Sequence, residues 1–186
     1  MRQEAVYLGL GSNLGDKADN CLRVLRWISA SAHTHIQCVS SFYKTEPIGY
    51  RDQDWFINCA ARVSTSLSPS SLLRFLQDIE HQMGRQKTFP LGPRLIDIDI
   101  LLYGAEIIAE PDLTIPHPHL HERGFVLVPL AEIAPRLSHP LLKKTINDLL
   151  QAIGKEGVER YTSPPGGEIS TYVIRDKVRR SNNRGH

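Results

Sequence analysis

Cysteine is scarce in this chain. Cys21, Cys38 and Cys59 are three among 186 residues, widely spaced, odd in number and without a CxxC pair. That excludes a disulfide framework and a zinc knuckle, and leaves three small apolar side chains suited to a reducing compartment. Long apolar runs are missing as well. No stretch approaches the ~20 residues that cross a bilayer. The N-terminal MRQEAVYLGLGSNLG sets Glu4 before a short apolar run with glycines inside it, which is not the pattern of a signal peptide. Both absences point to a cytoplasmic protein with no membrane partner. An excess of one charge is absent too. Lysine plus arginine number 22 and aspartate plus glutamate 20, a formal +2, too little to argue for nucleic acid by bulk charge. What remains is 41% hydrophobic and 23% charged, near the globular norm, with no internal repeat. Collagen-like and fully disordered chains are excluded, and the length suits one domain able to bury a sizeable core.

Apolar periodicity orders the chain. Residues 5–11 read as a strand ending in glycines. From Asp16 to Ala32, Cys21, Leu25, Ile28 and Ala32 recur at helical spacing. Residues 35–43 read as a strand, 44–54 as a loop with Pro47 and Gly49, and 55–66 as another strand. Ser68-Pro69 starts a helix with a buried face at Leu72, Leu76, Ile79 and Met83, and Gly84 stops it. A basic loop over 85–94 leads into LIDIDILLYG at 95–104, then a proline- and histidine-rich loop over 111–124. An apolar helix or turn over 125–134 follows, then a short helix over 145–153 capped by Thr145. The order strand, helix, strand, strand, helix, strand matches a ferredoxin-like βαββαβ sandwich. The expected fold class is α+β, with helices on one face of a largely antiparallel sheet and C-terminal additions. The expected division is a domain over 1–155 and a flexible tail over 156–186.

Chemistry concentrates at Asp97-Ile98-Asp99. On a strand both carboxylates share a face, with Cα atoms about 6.5–7 Å apart. Paired carboxylates in an apolar run repel and call for a cation. Mg²⁺ held by one or two carboxylates plus substrate phosphates fits. Alone, the pair fits an edge strand whose polar face meets water somewhat better than a metal site. Arg85, Lys87 and Arg94 just before the strand, and Arg123 after it, supply the cations that a polyphosphate needs. His117, His119 and His121 alternate, but Pro116 and Pro118 interrupt a regular strand. The expectation is therefore one histidine on a ligand and two in solvent, not zinc. Gly9-Leu10-Gly11-Ser12-Asn13-Leu14-Gly15 is GxGxxxG without a Walker lysine, and reads as a tight strand-to-helix turn. Trp55, Phe56 and Phe125 flank loops, and Asn58 shares a strand face with Phe56. Such a set suits a planar heterocycle, and suits ordinary core packing as well.

Together the pieces LGLGSNLGD (8–16), SSFYKTEPIGY (40–50), FINCA (56–60), GPRLIDIDILLYG (92–104) and IPHPHLHERGFVLVPLAEIAP (115–135) resemble the 6-hydroxymethyl-7,8-dihydropterin pyrophosphokinases of folate biosynthesis. The resemblance runs from about residue 5 to about residue 137. It implies transfer of pyrophosphate from ATP to the pterin hydroxymethyl group, with AMP leaving. It implies two Mg²⁺ ions on Asp97 and Asp99, with Asp97, Asp99 and Arg94 catalytic. It implies an ATP site of Gln77, Glu80, Arg85, Lys87, Arg94, Ile100, His117 and Arg123. For the pterin it implies Thr45, Ile48, Phe56, Asn58, Asp97 and Phe125, the two phenylalanines sandwiching the ring. The partners implied are these small molecules, and the chain is expected to be a monomer. Where many members carry further arginines and a tryptophan before GPR, this chain has Gln86-Lys87-Thr88-Phe89-Pro90-Leu91, so Arg85 and Lys87 are expected to supply part of that charge. Two other classes fit parts of the pattern. A nucleic-acid module of the same fold would need an RNP1 motif that is missing. A Mg²⁺-dependent nuclease would use the same aspartates.

Overall fold

The computed structural model describes residues 4–85 and 92–162. A six-stranded sheet forms its middle. The strands are β1 (Glu4–Ser12), β2 (Thr34–Val39), β3 (Phe42–Thr45), β4 (Phe56–Thr65), β5 (Asp97–Tyr103) and, beyond a small hairpin of β6 (Ile108–Glu110) and β7 (Leu113–Ile115), β8 (Val158–Thr162). Their order is β5-β1-β4-β3-β8, with β2 also on β4, and every pairing is antiparallel.

Helices α1 (Lys17–Ala30) and α2 (Pro69–Gln82) form where the sequence places them. Asp16 accepts the Asp19 N–H at 3.0 Å to cap α1, and Ser68 caps α2 with Pro69 in its first turn. Gly84 ends the second helix with φ +89, a conformation that side chains resist. Their apolar stripes, Cys21, Val24, Leu25 and Ile28 on one and Leu72, Leu76 and Ile79 on the other, meet Val6, Leu8, Leu10, Ile98 and Ile100 on one sheet face.

The other sheet face is covered too, which departs from the expected one-sided sandwich. Helix α3 (Gly124–Ile133) and helix α4 (Ile146–Ile153) bury a second core with Tyr7, Ala60, Leu101 and Leu102. The expected strand over 35–43 is broken at Ser40-Ser41. There the Ser40 hydroxyl accepts the Ala60 N–H at 2.9 Å, and the Ser41 N–H turns to Glu132. The expected loop over 111–124 contains β7, because Leu113 and Ile115 are buried around exposed Thr114. Residues 158–162, assigned from sequence to the tail, form β8 against β3. Residues 163–186 lie outside the described ones.

One carboxylate ties these additions to the sheet. Glu132 of α3 accepts from the Ser41 N–H (2.9 Å), the Ser41 hydroxyl (2.8 Å) and the Tyr43 hydroxyl (2.7 Å). Arg160 of β8 donates to the same serine hydroxyl at 2.6 Å. Burial, then the bond to Glu132, pushes the Tyr43 phenol up to about 12. Glu132→Ala strands the Ser41 N–H, so urea unfolding is expected to show a loss of about 1–3 kcal/mol. An unchanged midpoint would mean that β8 and α3 are held by packing alone.

Candidate active site

Strand β1 lies between β4 and β5, and its register places the site. Gly11 stands opposite Asn58 on one side and Asp97 on the other; Gly9 stands opposite Ala60 and Asp99. Odd positions of β1 face α3 and α4, so Gly9 and Gly11 leave a bare strip of backbone between a polar-aromatic half and a carboxylate half. The strip floors a pocket that opens to solvent. These two glycines are therefore strand residues of a pocket floor. Of the GxGxxxG run, Gly15 alone has positive φ (+62) and makes the turn. The signal available in sequence was the period of two, Gly9 and Gly11 sharing a face with Tyr7.

Residues Thr45, Ile48, Phe56, Asn58 and Phe125 line the first half. Asn58 is buried and donates through Nδ2 to the Thr45 hydroxyl at 2.6 Å. Its Oδ1 is thereby left over Gly11, an acceptor facing the pocket. Ile48 is half exposed at the rim. Trp55 does not line the pocket; the Lys44 ammonium sits 4.5 Å from its ring centroid.

Residues Arg94, Asp97, Asp99 and Arg123 line the second half. The alternation of β5 sends Asp97 and Asp99 into the pocket and Ile98 and Ile100 into the first core. A bulge then inserts Leu101, without a partner, between the pairs Ile100–Leu8 and Leu102–Tyr7, and ends the alternation. Each oxygen of Asp97 is bound by an arginine: Oδ1 by Arg85 Nη2 at 2.8 Å, Oδ2 by Arg94 Nη1 at 2.6 Å. Arg85 also pairs with Glu80. For Arg85, burial opposes the charge, but Asp97 and Glu80 outweigh it and hold the guanidinium above its ordinary value. Asp99 is pushed up to about 7, by desolvation first and by the Asp97 charge second. A second negative charge beside Asp97 is opposed unless a further cation joins the pair.

His117 lies beside Asp99, with Nε2 3.9 Å from Oδ2. Burial, then Arg123, pushes its ring down to about 4, so it is neutral near pH 7. Its Nδ1 accepts the His119 N–H at 3.2 Å, which leaves the ring proton on Nε2, toward the carboxylate. His119 and His121 turn outward and pair with Glu122. Among the described residues, no three His, Cys, Asp or Glu side chains converge as a protein-only metal cage. A cation here would have two hard carboxylates and would draw its other oxygens from a ligand, which fits Mg²⁺ with a polyphosphate and not zinc.

Several residues of the expected ATP set do not line this pocket. Ile100 is buried in the core on the opposite sheet face, because even positions of β5 point there. Gln77 is exposed on α2 and does not line the pocket. Glu80 is buried and accepts the Ile98 N–H at 2.7 Å, so it braces β5 and Arg85 from outside the pocket. Lys87 lies outside the described residues.

Asn13 is a contributor that the sequence did not flag. Its side chain accepts the Arg94 N–H at 2.9 Å and donates to Gln53 at 2.9 Å and to the Asp54 carbonyl at 3.1 Å. One buried amide thus fixes both the loop before β5 and the loop before β4.

The family model described as 7,8-dihydro-6-hydroxymethylpterin-pyrophosphokinase matches residues 7–135. A Haemophilus influenzae 2-amino-4-hydroxy-6-hydroxymethyldihydropteridine pyrophosphokinase is 47% identical over 72% of this chain and 84% of its own length. The folic acid synthesis protein FOL1 of Dictyostelium discoideum is 45% identical over 96% of this chain. The chain spans only 27% of that protein and 22% of its Schizosaccharomyces pombe counterpart. A crystal structure of Plasmodium falciparum HPPK-DHPS with pteroate shares the fold. Its TM-score is 0.69 at 18% identity, over 86% of this chain and 46% of that one.

Proposed function

Because the chain belongs to the 7,8-dihydro-6-hydroxymethylpterin pyrophosphokinase family, we propose that its pocket transfers pyrophosphate from ATP to 6-hydroxymethyl-7,8-dihydropterin and releases AMP, a step of folate synthesis. The observation that carries this reading is the floor of Gly9 and Gly11, which sets an aromatic-amide half beside a carboxylate-guanidinium half on one sheet face. A flat, hydrogen-bonding heterocycle fits the first half and a metal-polyphosphate the second.

The chain's own residues do the following. Phe56 and Phe125 flank the ring, and Asn58 Oδ1 accepts from its N–H groups. Arg94 and Arg123 bind phosphate oxygens, and His117 donates its Nε2 proton to one. Asp97 and Asp99 would hold two Mg²⁺ ions, which supply charge neutralisation on the phosphates. The pterin hydroxyl oxygen bonds to the β-phosphorus as the bond from that phosphorus to the oxygen shared with the α-phosphate breaks; that oxygen leaves with AMP, and the hydroxyl proton passes to solvent. Positioning and charge neutralisation dominate, as in phosphoryl transfer generally. The core is read as the ferredoxin-like βαββαβ unit, supported by α1 and α2 each crossing one intervening strand. No helix among the described residues is long and apolar enough to cross a membrane.

A coupled AMP assay tests the function. AMP is expected only when ATP, Mg²⁺ and the reduced pterin are all present. AMP formation without pterin, or ADP as the nucleotide product, would overturn the assignment.

A further inference from the structure

Both oxygens of Asp97 are occupied by guanidinium groups, and both arginines are anchored, one at its guanidinium and one at its main chain. Arg85 is held from behind by Glu80, which is 7% exposed and fixed by the Ile98 N–H. Arg94 is held at its backbone by Asn13, which accepts its N–H at 2.9 Å and donates its own main-chain N–H to the Arg94 carbonyl at 3.2 Å. A divalent cation approaching Asp97 therefore meets two fixed positive charges and finds no carboxylate oxygen without an arginine on it.

We propose that Arg85 and Arg94 form a latch on Asp97 that refuses a bare divalent cation and releases to one that arrives with a polyphosphate. This rests on reading the pocket as a metal-nucleotide site. A bare cation must break the charge-assisted bond to Arg85, which keeps Glu80, or the one to Arg94, whose Nη1 then loses its carboxylate. A cation carrying phosphate brings new acceptors within reach, so the arginine exchanges one oxyanion for another. The latch thus couples metal loading to nucleotide loading, and Arg85 acts as a positioning residue before it acts as a phosphate ligand.

The arginine variants are expected to move two affinities in opposite directions. The probe is Mn²⁺, counted by electron paramagnetic resonance, alone or with the α,β-methylene analogue of ATP. Arg85→Met and Arg94→Met are each expected to tighten Mn²⁺ alone by roughly tenfold, the scale of one charge-assisted hydrogen bond. Each is expected to weaken Mn²⁺ with the analogue. A merely structural role would weaken both, and circular dichroism confirms folding. Arg123→Met removes the same charge from the same pocket, but Arg123 packs against the Phe125 ring, 5.7 Å from its centroid, instead of Asp97. Its charge acts on Asp99 without a bond to Asp97, so it is expected to tighten bare Mn²⁺ by less than either latch variant. Arg85→Lys keeps the charge but cannot fork between Glu80 and Asp97, and is expected to fall between native and Arg85→Met. The latch is overturned if Arg85→Met and Arg94→Met leave bare Mn²⁺ affinity unchanged or lower, or if Arg123→Met tightens it as much. If the native chain fails to bind the analogue, the metal-nucleotide reading falls, and the bare Mn²⁺ series still decides whether arginines block Asp97.

Discussion

Asp99→Asn is expected to lower kcat/KM for AMP formation by about 10²–10³, the loss typical when one charge-stabilising group is removed from a transition state. The same substitution should leave the protein no less stable at pH 8. The Asp99 carboxyl is pushed up to about 7 by desolvation and by Asp97. A raised carboxyl pKa means that the folded state resists the charged form. The cost is absent at pH values below the ordinary carboxylate range, grows from there to about 7, and stays level above that. Asparagine removes that cost, so calorimetry at pH 8 should show an equal or higher melting temperature. The difference should shrink toward pH 5. Asp97→Asn should behave differently. It loses turnover on a similar scale, but it also weakens the acceptor for Arg85 and Arg94, so stability should fall. A protein that keeps near-native turnover with Mg²⁺ after Asp99→Asn would show that this carboxylate is not a metal ligand. Loss of both activity and stability would make it a structural residue.

The part of this site visible in sequence is the part set by local period. Asp97 and Asp99 share a face because strands repeat every two residues, and no tertiary information is needed to see it. Asn58 beside Phe56 follows from the same rule, as do the caps at Ser68 and Thr145. The less visible part depends on pairing across distance. Nothing local says that Gly9 and Gly11 lie between Asn58 and Asp97; only the β1–β4 and β1–β5 registers do. Glycines next to a helix start suggest a turn, and only Gly15 obeys that suggestion.

The same division explains the fold. The order of β1, α1, the strands before α2, and β5 was legible from periodicity. The second core was not, because FVLVPLAEIA is apolar all round and its partner face cannot be chosen from sequence. In the structure α3 packs against β4 and α4, on the face opposite α1 and α2. Strand β8 escaped notice for a related reason. Its residues are mostly exposed, so it lacks an alternating pattern, and it is held by ladder bonds to β3 and by Arg160. Ile100 shows the converse case: the family resemblance puts it at the nucleotide, while the strand period sends its side chain to the core.

Gly11→Ala is expected to weaken pterin binding by about 10–100-fold, the scale of a buried hydrogen-bonding group left unpaired, with ATP affinity changed by less than about threefold, as for a site that loses no contact. A Cβ at Gly11 would stand 2.5 Å from Asn58 Oδ1 and 3.9 Å from Phe56 Cδ1. The first distance is far inside contact. Asn58 cannot easily rotate away, because it is buried and its Nδ2 is bound to Thr45 Oγ1 at 2.6 Å. The new methyl must therefore turn the amide off its partner or push β1 away from β4, and either outcome moves the acceptor that faces the pocket. Gly9→Ala is the matched control on the same strand and face. Its Cβ would meet the tip of Leu101, 3.3 Å from Cδ2, a flexible end that can shift by a few tenths of an ångström. Fluorescence titration with pterin, and KM values for both substrates, should separate the two variants. Equal losses for Gly9→Ala and Gly11→Ala would mean that any methyl on the floor blocks the pocket by volume. An equal loss of pterin and ATP affinity in Gly11→Ala would mean that β1 itself had shifted. A loss confined to pterin and to Gly11→Ala assigns the effect to the Asn58 amide.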